Sequence, residues 1–270
     1  MKKVGIFLFS GTGMTKYLTD KIKCEFEKQQ IEVDVYNIED VVGDVKLENI
    51  SFDSYNAIGI TNPVHSLNTP KIVIDFVKKL PQVNGIRTFV INTVGDYNPI
   101  NFASSNLLIK ILGQKAFKVF YFKQFAMPSN WIIKYDEKQV NELLEAVNKE
   151  IPQTVYEIIN HVNYQEKISF LAKILTFIGR IEWLGAKSMG IFYYTDKGCD
   201  FCMTCVQNCP NNNIIAKEKK IRFKLHCGFC MRCIYLCPRN AIKIHQPFKF
   251  FSFEKWYENK EIPVMRKNRK

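Results

Sequence analysis

Eight of the nine cysteines fall into two runs of identical spacing, C-x2-C-x2-C-x3-C-P. The first is Cys199, Cys202, Cys205 and Cys209 before Pro210; the second is Cys227, Cys230, Cys233 and Cys237 before Pro238. Three thiolates at every third position wrap a short turn around one face of an iron–sulfur cubane. The fourth, four positions further on, points away toward a neighbouring cluster. Each following proline lacks an N–H and fixes φ near −65°, so it ends the turn and redirects the chain. The runs start 28 residues apart and form an internal repeat.

Other uses of these cysteines fit less well. Zinc sites mostly set two C-x2-C pairs across a longer gap. A disulfide framework needs an oxidising compartment, and the N-terminus carries no secretory pattern. The spacing therefore points to two [4Fe–4S] clusters in a reducing, cytoplasmic setting. Residues 195–246 resemble two-cluster bacterial ferredoxins. The crossing rule of that run assigns Cys199, Cys202, Cys205 and Cys237 to one cluster, and Cys227, Cys230, Cys233 and Cys209 to the other. Such ferredoxins often have glycine after the second cysteine. Here Met203 and Met231 stand there, which removes turn freedom and adds apolar bulk beside a sulfur. Cys24 stands apart and reads as a buried structural thiol on a helix.

The elements that must position this chemistry fit a chain of 270 residues, long enough for two cores. No apolar run approaches the ~18 residues that span a bilayer. Charge is uneven: residues 1–160 balance at 18 basic and 18 acidic, while 161–270 hold 20 basic and 8 acidic. The densest basic piece is the tail, Arg266, Lys267, Arg269 and Lys270. No recognisable nucleic-acid module accompanies the charge, so nucleic-acid binding is disfavoured against docking of an acidic redox partner.

In the N-terminal half, Lys3 to Phe9 is an apolar run suited to a strand buried on both faces. Ser10-Gly11-Thr12-Gly13-Met14-Thr15 follows, then a helical stretch over 14–29. Strand, small hydroxyl-rich loop and helix together make a phosphate cradle. The Walker lysine and the third glycine of the dinucleotide fingerprint are both missing. Strands over 31–37, 55–61, 87–93 and 117–124, with helices over 70–80, 101–113 and 138–160, predict a five-stranded, doubly wound parallel sheet. Loops 10–15, 61–69 and 92–98 would meet at its switch point.

This set resembles flavodoxin over residues 1–160. The resemblance implies FMN, with its phosphate on Ser10, Gly11, Thr12, Gly13, Met14 and Thr15. It places Asn62, Pro63, Val64 and His65 on one side of the ring. Asn92, Thr93, Val94, Gly95, Asp96 and Tyr97 lie on the other, with Tyr97 as the stacking residue. Strand-to-helix capping, a surface tyrosine and an ordinary loop histidine remain the plain readings of these positions. No glycine lies in 61–69 to flip beside a flavin semiquinone.

Between the halves, 161–194 forms a connecting segment in which Ile168, Leu171, Ile174, Leu175 and Ile178 recur at helical spacing. This stretch reads as a helix packing one part on the other, or as a basic amphipathic face for a membrane surface. Ile191 to Tyr194 reads as a strand entering the cysteine-rich part. The tail over 247–270, with its aromatic stretch Phe248 to Tyr257, reads as packing against a domain or subunit. The whole chain resembles the flavodoxin–ferredoxin fusion proteins of anaerobic bacteria and archaea. That likeness implies an α/β flavodoxin-like domain followed by an α+β 2[4Fe–4S] ferredoxin-like domain. It also implies electron transfer between FMN, the clusters and an external redox partner. An FMN-dependent reductase of a small organic substrate is the alternative, and a nucleic-acid-binding redox sensor a weaker third. A homodimer is one way to bring clusters of one chain to the flavin of another.

Overall fold

The first strand, β1 (Lys3–Leu8), has alternate side chains in two different cores. Val4 and Ile6 join one, Phe7 the other. A strand fed by apolar residues on both faces belongs at the centre of a covered sheet, and β1 lies between two parallel neighbours. The structure is a computed structural model that describes residues 1–43, 47–129 and 135–245.

The main sheet adds β2 (Glu32–Asn37), β3 (Ala57–Pro63), β4 (Arg87–Val94) and β5 (Lys118–Ala126). All five strands are parallel, in the order β2-β1-β3-β4-β5. This is the flavodoxin-like doubly wound order, with its switch point between β1 and β3. Helices α1 (Met14–Lys28) and, further on, Glu137–Ile159 cover one face through Leu18, Ile22, Phe26, Leu144 and Val147. After β2 comes the short helix α2 (Ile38–Gly43). Helices α3 (Lys71–Lys79) and α4 (Asn106–Gln114) cover the other face through Val73, Phe76, Leu108 and Leu112. The helix Glu137–Ile159 is α5; a capping box between Asp136 and Gln139 starts it.

Helices α6 (Phe170–Gly179) and α7 (Glu182–Met189) follow. The cysteine-rich part then builds its own small core around Tyr193, Ile214, Ile221, Ile234 and Ile242. It contains β6 (Tyr193–Thr195), α8 (Thr204–Asn208), β7 (Ile214–Lys217), β8 (Lys220–Phe223), α9 (Arg232–Leu236) and β9 (Ile242–Ile244). Strand β6 pairs antiparallel with β9, and β7 with β8.

Three expectations need correction. Cys24 is exposed, because the buried stripe of α1 runs through Leu18, Ile22 and Phe26 and leaves position 24 outside it. In α6 the buried side chains are Ala172 and Thr176, while Leu171, Ile174 and Ile178 are exposed. The expected strand over 191–194 is shorter and later, since Gly190–Phe192 forms a 3-10 turn before β6. Residues 247–270, with Phe248 to Tyr257 and the basic cluster Arg266 to Lys270, lie outside the described residues.

Gly59 shows how closely the sheet is covered. A Cβ there would lie 2.4 Å from the ring of Phe89, which is wholly buried. We expect Gly59→Ala to destabilise by about 1–3 kcal/mol through overpacking, measured by urea unfolding. An unchanged midpoint would contradict this packing.

Candidate functional site

Three strand ends and the turns after them converge where β1 and β3 part. Phe9 N–H donates to Thr61 O (2.9 Å), Val64 N–H to Thr93 O (2.9 Å) and Met127 N–H to Val94 O (2.8 Å). Beneath the loops the hydroxyls of Thr15 and Thr93 are 2.7 Å apart, and Thr19 donates to Thr61 at 2.9 Å. Gly13 caps α1 at φ 115°, a left-handed value that glycine tolerates, and its N–H donates to Ser10 Oγ. No acidic residue occupies the first turn of α1. A helix start of this kind favours an anion.

These loops enclose a cavity of about 200 Å³. Of the residues expected from sequence, Ser10, Gly11, Thr12, Met14, Thr15, Pro63, Val64, His65, Thr93, Val94 and Gly95 line it. Gly13 shapes the cap instead. Asn62 and Asn92 are buried side by side in register across β3 and β4, next to Gln124 of β5. Their amides brace the neighbouring chain: Asn92 Nδ2 donates to the hydroxyl Oγ of Ser105 (2.8 Å), and Asn62 Nδ2 to the backbone O of Pro63 (2.8 Å). Asp96 and Tyr97 lie outside the cavity on an exposed turn. The Tyr97 hydroxyl donates to Glu166 at 2.7 Å, and its ring meets Phe102 edge-on.

His65 starts a tight turn closed by reciprocal bonds with Asn68. Ser66 and Leu67 occupy left-handed φ values of 39° and 63° without a glycine, so the turn is held from outside. Part of that hold is Asn68 Nδ2, which donates to Thr176 O of α6 (2.9 Å). Burial pushes the imidazole of His65 down to about 4. It is therefore neutral near pH 7.

Ser66, from the expected loop 61–69, also lines it, and the rest of the lining, Met127, Pro128, Ser129, Phe229 and Met231, was not expected from sequence. The last two come from the second cysteine run, 100 residues or more beyond Ser129. Arg232 brings them there. Its side chain is 1% exposed and meets Glu39 of α2, also 1% exposed, at 2.5 Å. It donates to Ser10 O (2.6 Å), Gly11 O (3.4 Å) and Asn208 O (3.4 Å). Burial lowers the guanidinium's affinity for its proton; the Glu39 carboxylate opposes this, and the net shift is upward. Gly11 faces the same contact, for a Cβ there would lie 2.3 Å from Cys230 O.

The eight cysteines fall into two groups around two small cavities. Cys199, Cys202, Cys205 and Cys237 line one; Cys209, Cys227, Cys230 and Cys233 line the other. Both runs have the same backbone, with Phe201 and Phe229, Met203 and Met231, and Asn212 and Asn240 all at left-handed φ. Asn213 N–H donates to Cys209 Sγ (3.2 Å) and Ala241 N–H to Cys237 Sγ (3.3 Å), again as equivalent pairs. All eight are free thiols. Burial, reinforced by neighbouring cysteines, pushes Cys205 up to about 11 and Cys227 up to about 12. Cys230 also rises to about 11, again chiefly by burial, against the pull of Arg232. A bound metal cation would deprotonate such thiols near pH 7. Among the described residues no three His, Cys, Asp or Glu side chains converge as they would on a single metal ion.

Phe229 and Met231 line both the cavity over the sheet and the second cysteine cavity. The two spaces share a wall.

Two outcomes follow from this geometry. Arg232→Met leaves Glu39 buried without its cation and should cost about 3–5 kcal/mol, seen as a lower denaturation midpoint. His65 should show an NMR titration near pH 4 rather than 6.5. Because its folded value lies below its unfolded one, its neutral form supports the fold above about pH 6.5, and that support is lost as pH falls toward 4.

No family model matches the chain, and no curated protein matches it. Similar solved structures include a flavodoxin from the domain Archaea, 17% identical with a TM-score of 0.36, over 58% of this chain and 99% of that one. The Fusobacterium nucleatum flavodoxin bound to flavin mononucleotide is 14% identical with a TM-score of 0.41, over 60% and 99%. The rubredoxin:oxygen oxidoreductase of Desulfovibrio gigas is 12% identical with a TM-score of 0.38, over 59% and 37%. By its own strand order, the N-terminal part of this chain has the flavodoxin-like fold.

Proposed function

We propose that the chain is an iron–sulfur flavoprotein that moves electrons between FMN, two [4Fe–4S] clusters and an external redox partner. The observation that carries this reading is the wall shared by the sheet-end cavity and the second cysteine cavity. FMN fits the first: Gly11 to Thr15 at the start of α1 would hold its phosphate, and among the described residues no acidic side chain lines the cavity to repel it. Loops 63–66 and 93–95, with Phe229 and Met231, would bound its ring.

The clusters fit the two thiol quartets, which divide as the crossing rule requires. In a zinc site, sulfurs ~2.3 Å from one ion stand within about 4 Å of each other. A cubane spreads its ligands over four irons and needs no such convergence. FMN exchanges one or two electrons and each cluster one, so together they join two-electron to one-electron chemistry. The protein's share is to bury the thiols, donate backbone N–H groups to Cys209 and Cys237, and set Arg232 beside Cys230. N–H donors and a nearby cation both favour the more negative, reduced cluster.

An acidic partner suits the surface beside the second quartet. A cleft of about 620 Å³ there has Cys227 and Cys230 in its lining, with Lys71, Lys78, Lys79 and Lys187 against one carboxylate, Asp75. Electrostatic steering by such a cleft speeds encounter and weakens with salt.

Anaerobic reconstitution should give about eight iron, about eight sulfide and one FMN per chain. Cys205→Ser should lose about half the iron and keep its flavin, whereas Cys233→Ser should lose iron and weaken flavin retention together. Zinc in place of iron, or a chain that binds no flavin, would overturn the proposal.

A further inference from the structure

Helices α6 and α7 carry their apolar residues the wrong way round for a helix pair that only joins two packed parts. Apart from Trp183 of α7, which packs on the core under α3 and α4, the inward face is made of small side chains: Ala172, Thr176 and Ala186 are buried. Close approach explains this. A Cβ on Gly179 would lie 2.7 Å from Ser66 O. The large side chains point out instead, with Phe170, Phe177, Ile181 and Leu184 at 77, 69, 67 and 68% exposure, and Ile174 and Ile178 also exposed. Positions 170, 174, 177, 181 and 184 alternate by four and three, which is one continuous helical stripe. The bonds Arg180 N–H to Phe177 O and Ile181 N–H to Ile178 O carry the turn across the break between the helices.

Lys173 and Arg180 lie seven residues apart, nearly two helical turns, and form a basic rail along one edge of that stripe, which Lys187 continues to the mouth of the lysine-lined cleft. Arg180 also lies over the Phe177 ring at 5.7 Å. Apolar side chains bordered by a line of cations match the boundary between acyl chains and anionic headgroups. We propose that this face seats on an anionic bilayer surface, with the stripe at the acyl boundary and the rail on lipid headgroups. The contact is peripheral, since no described helix is long and apolar enough to cross a membrane. A second copy is a poorer occupant: antiparallel pairing of two stripes lays the rails side by side, like charge against like.

The test is co-sedimentation of the full chain with phosphatidylcholine vesicles, with and without phosphatidylglycerol. Binding is expected only with phosphatidylglycerol, and Phe177→Trp should shift its emission to the blue there. The double variant Phe177→Ser, Ile181→Ser changes no charge and leaves the basic tail intact. Partition should fall at least about tenfold in it, with the melting temperature held. Absence of binding to anionic vesicles, or binding unchanged in the double variant, overturns the proposal. So does a variant that loses stability or a concentration-dependent dimer while vesicles stay unbound, which would mean that residues 246–270 or a second copy cover the stripe.

Discussion

Arg232 and Glu39 hold the two parts of this chain in register. A buried ion pair is an uncertain source of net stability, because both charges lose their water. Here the guanidinium recovers part of that loss from the carbonyls of Ser10, Gly11 and Asn208. Those acceptors belong to the strand-to-helix loop on one side and to the first cysteine run on the other. One side chain thus fixes the loop, seats the second run against it, and places Phe229 and Met231 over the sheet end. Gly11 is the reciprocal requirement, because any Cβ there would strike Cys230 O.

The two methionines after the second cysteine of each run illustrate a related compromise. Met203 and Met231 adopt φ of 62° and 58°, where an L side chain costs about 1–2 kcal/mol relative to the right-handed region. Glycine would relieve that cost. At position 231 it would also delete a side chain that divides two cavities. The strain is tolerated where the side chain forms a partition.

Much of this was legible in the sequence, for reasons that differ by element. Strand β1 and the four that follow announce themselves by apolar runs, and the cysteine quartets by spacing, because both signals are local. The helix start at Gly13 is local too. What the sequence hides is tertiary. Tyr97 belongs to an expected ring loop as its stacking residue, yet it lies outside the cavity and bonds Glu166, far along the chain. Asn62 and Asn92 fall at the right strand ends but turn into the sheet's support. The periodicity of α6 reports a helix without saying which face is covered; side-chain size at Ala172, Thr176 and Gly179 decides that, and only the close neighbour at Ser66 explains it. Arg232 reads as one more basic residue in a basic half.

The cysteine-rich part is a duplication, and two near-copies of one motif can in principle be mounted either way round. Position 204, the counterpart of 232 at the 28-residue offset, is threonine. Turned about, the part would set a short hydroxyl side chain opposite Glu39 and abandon a carboxylate in the interior. Among the differences between the two runs, the one at this position therefore gives the assembly an inner end and an outer end.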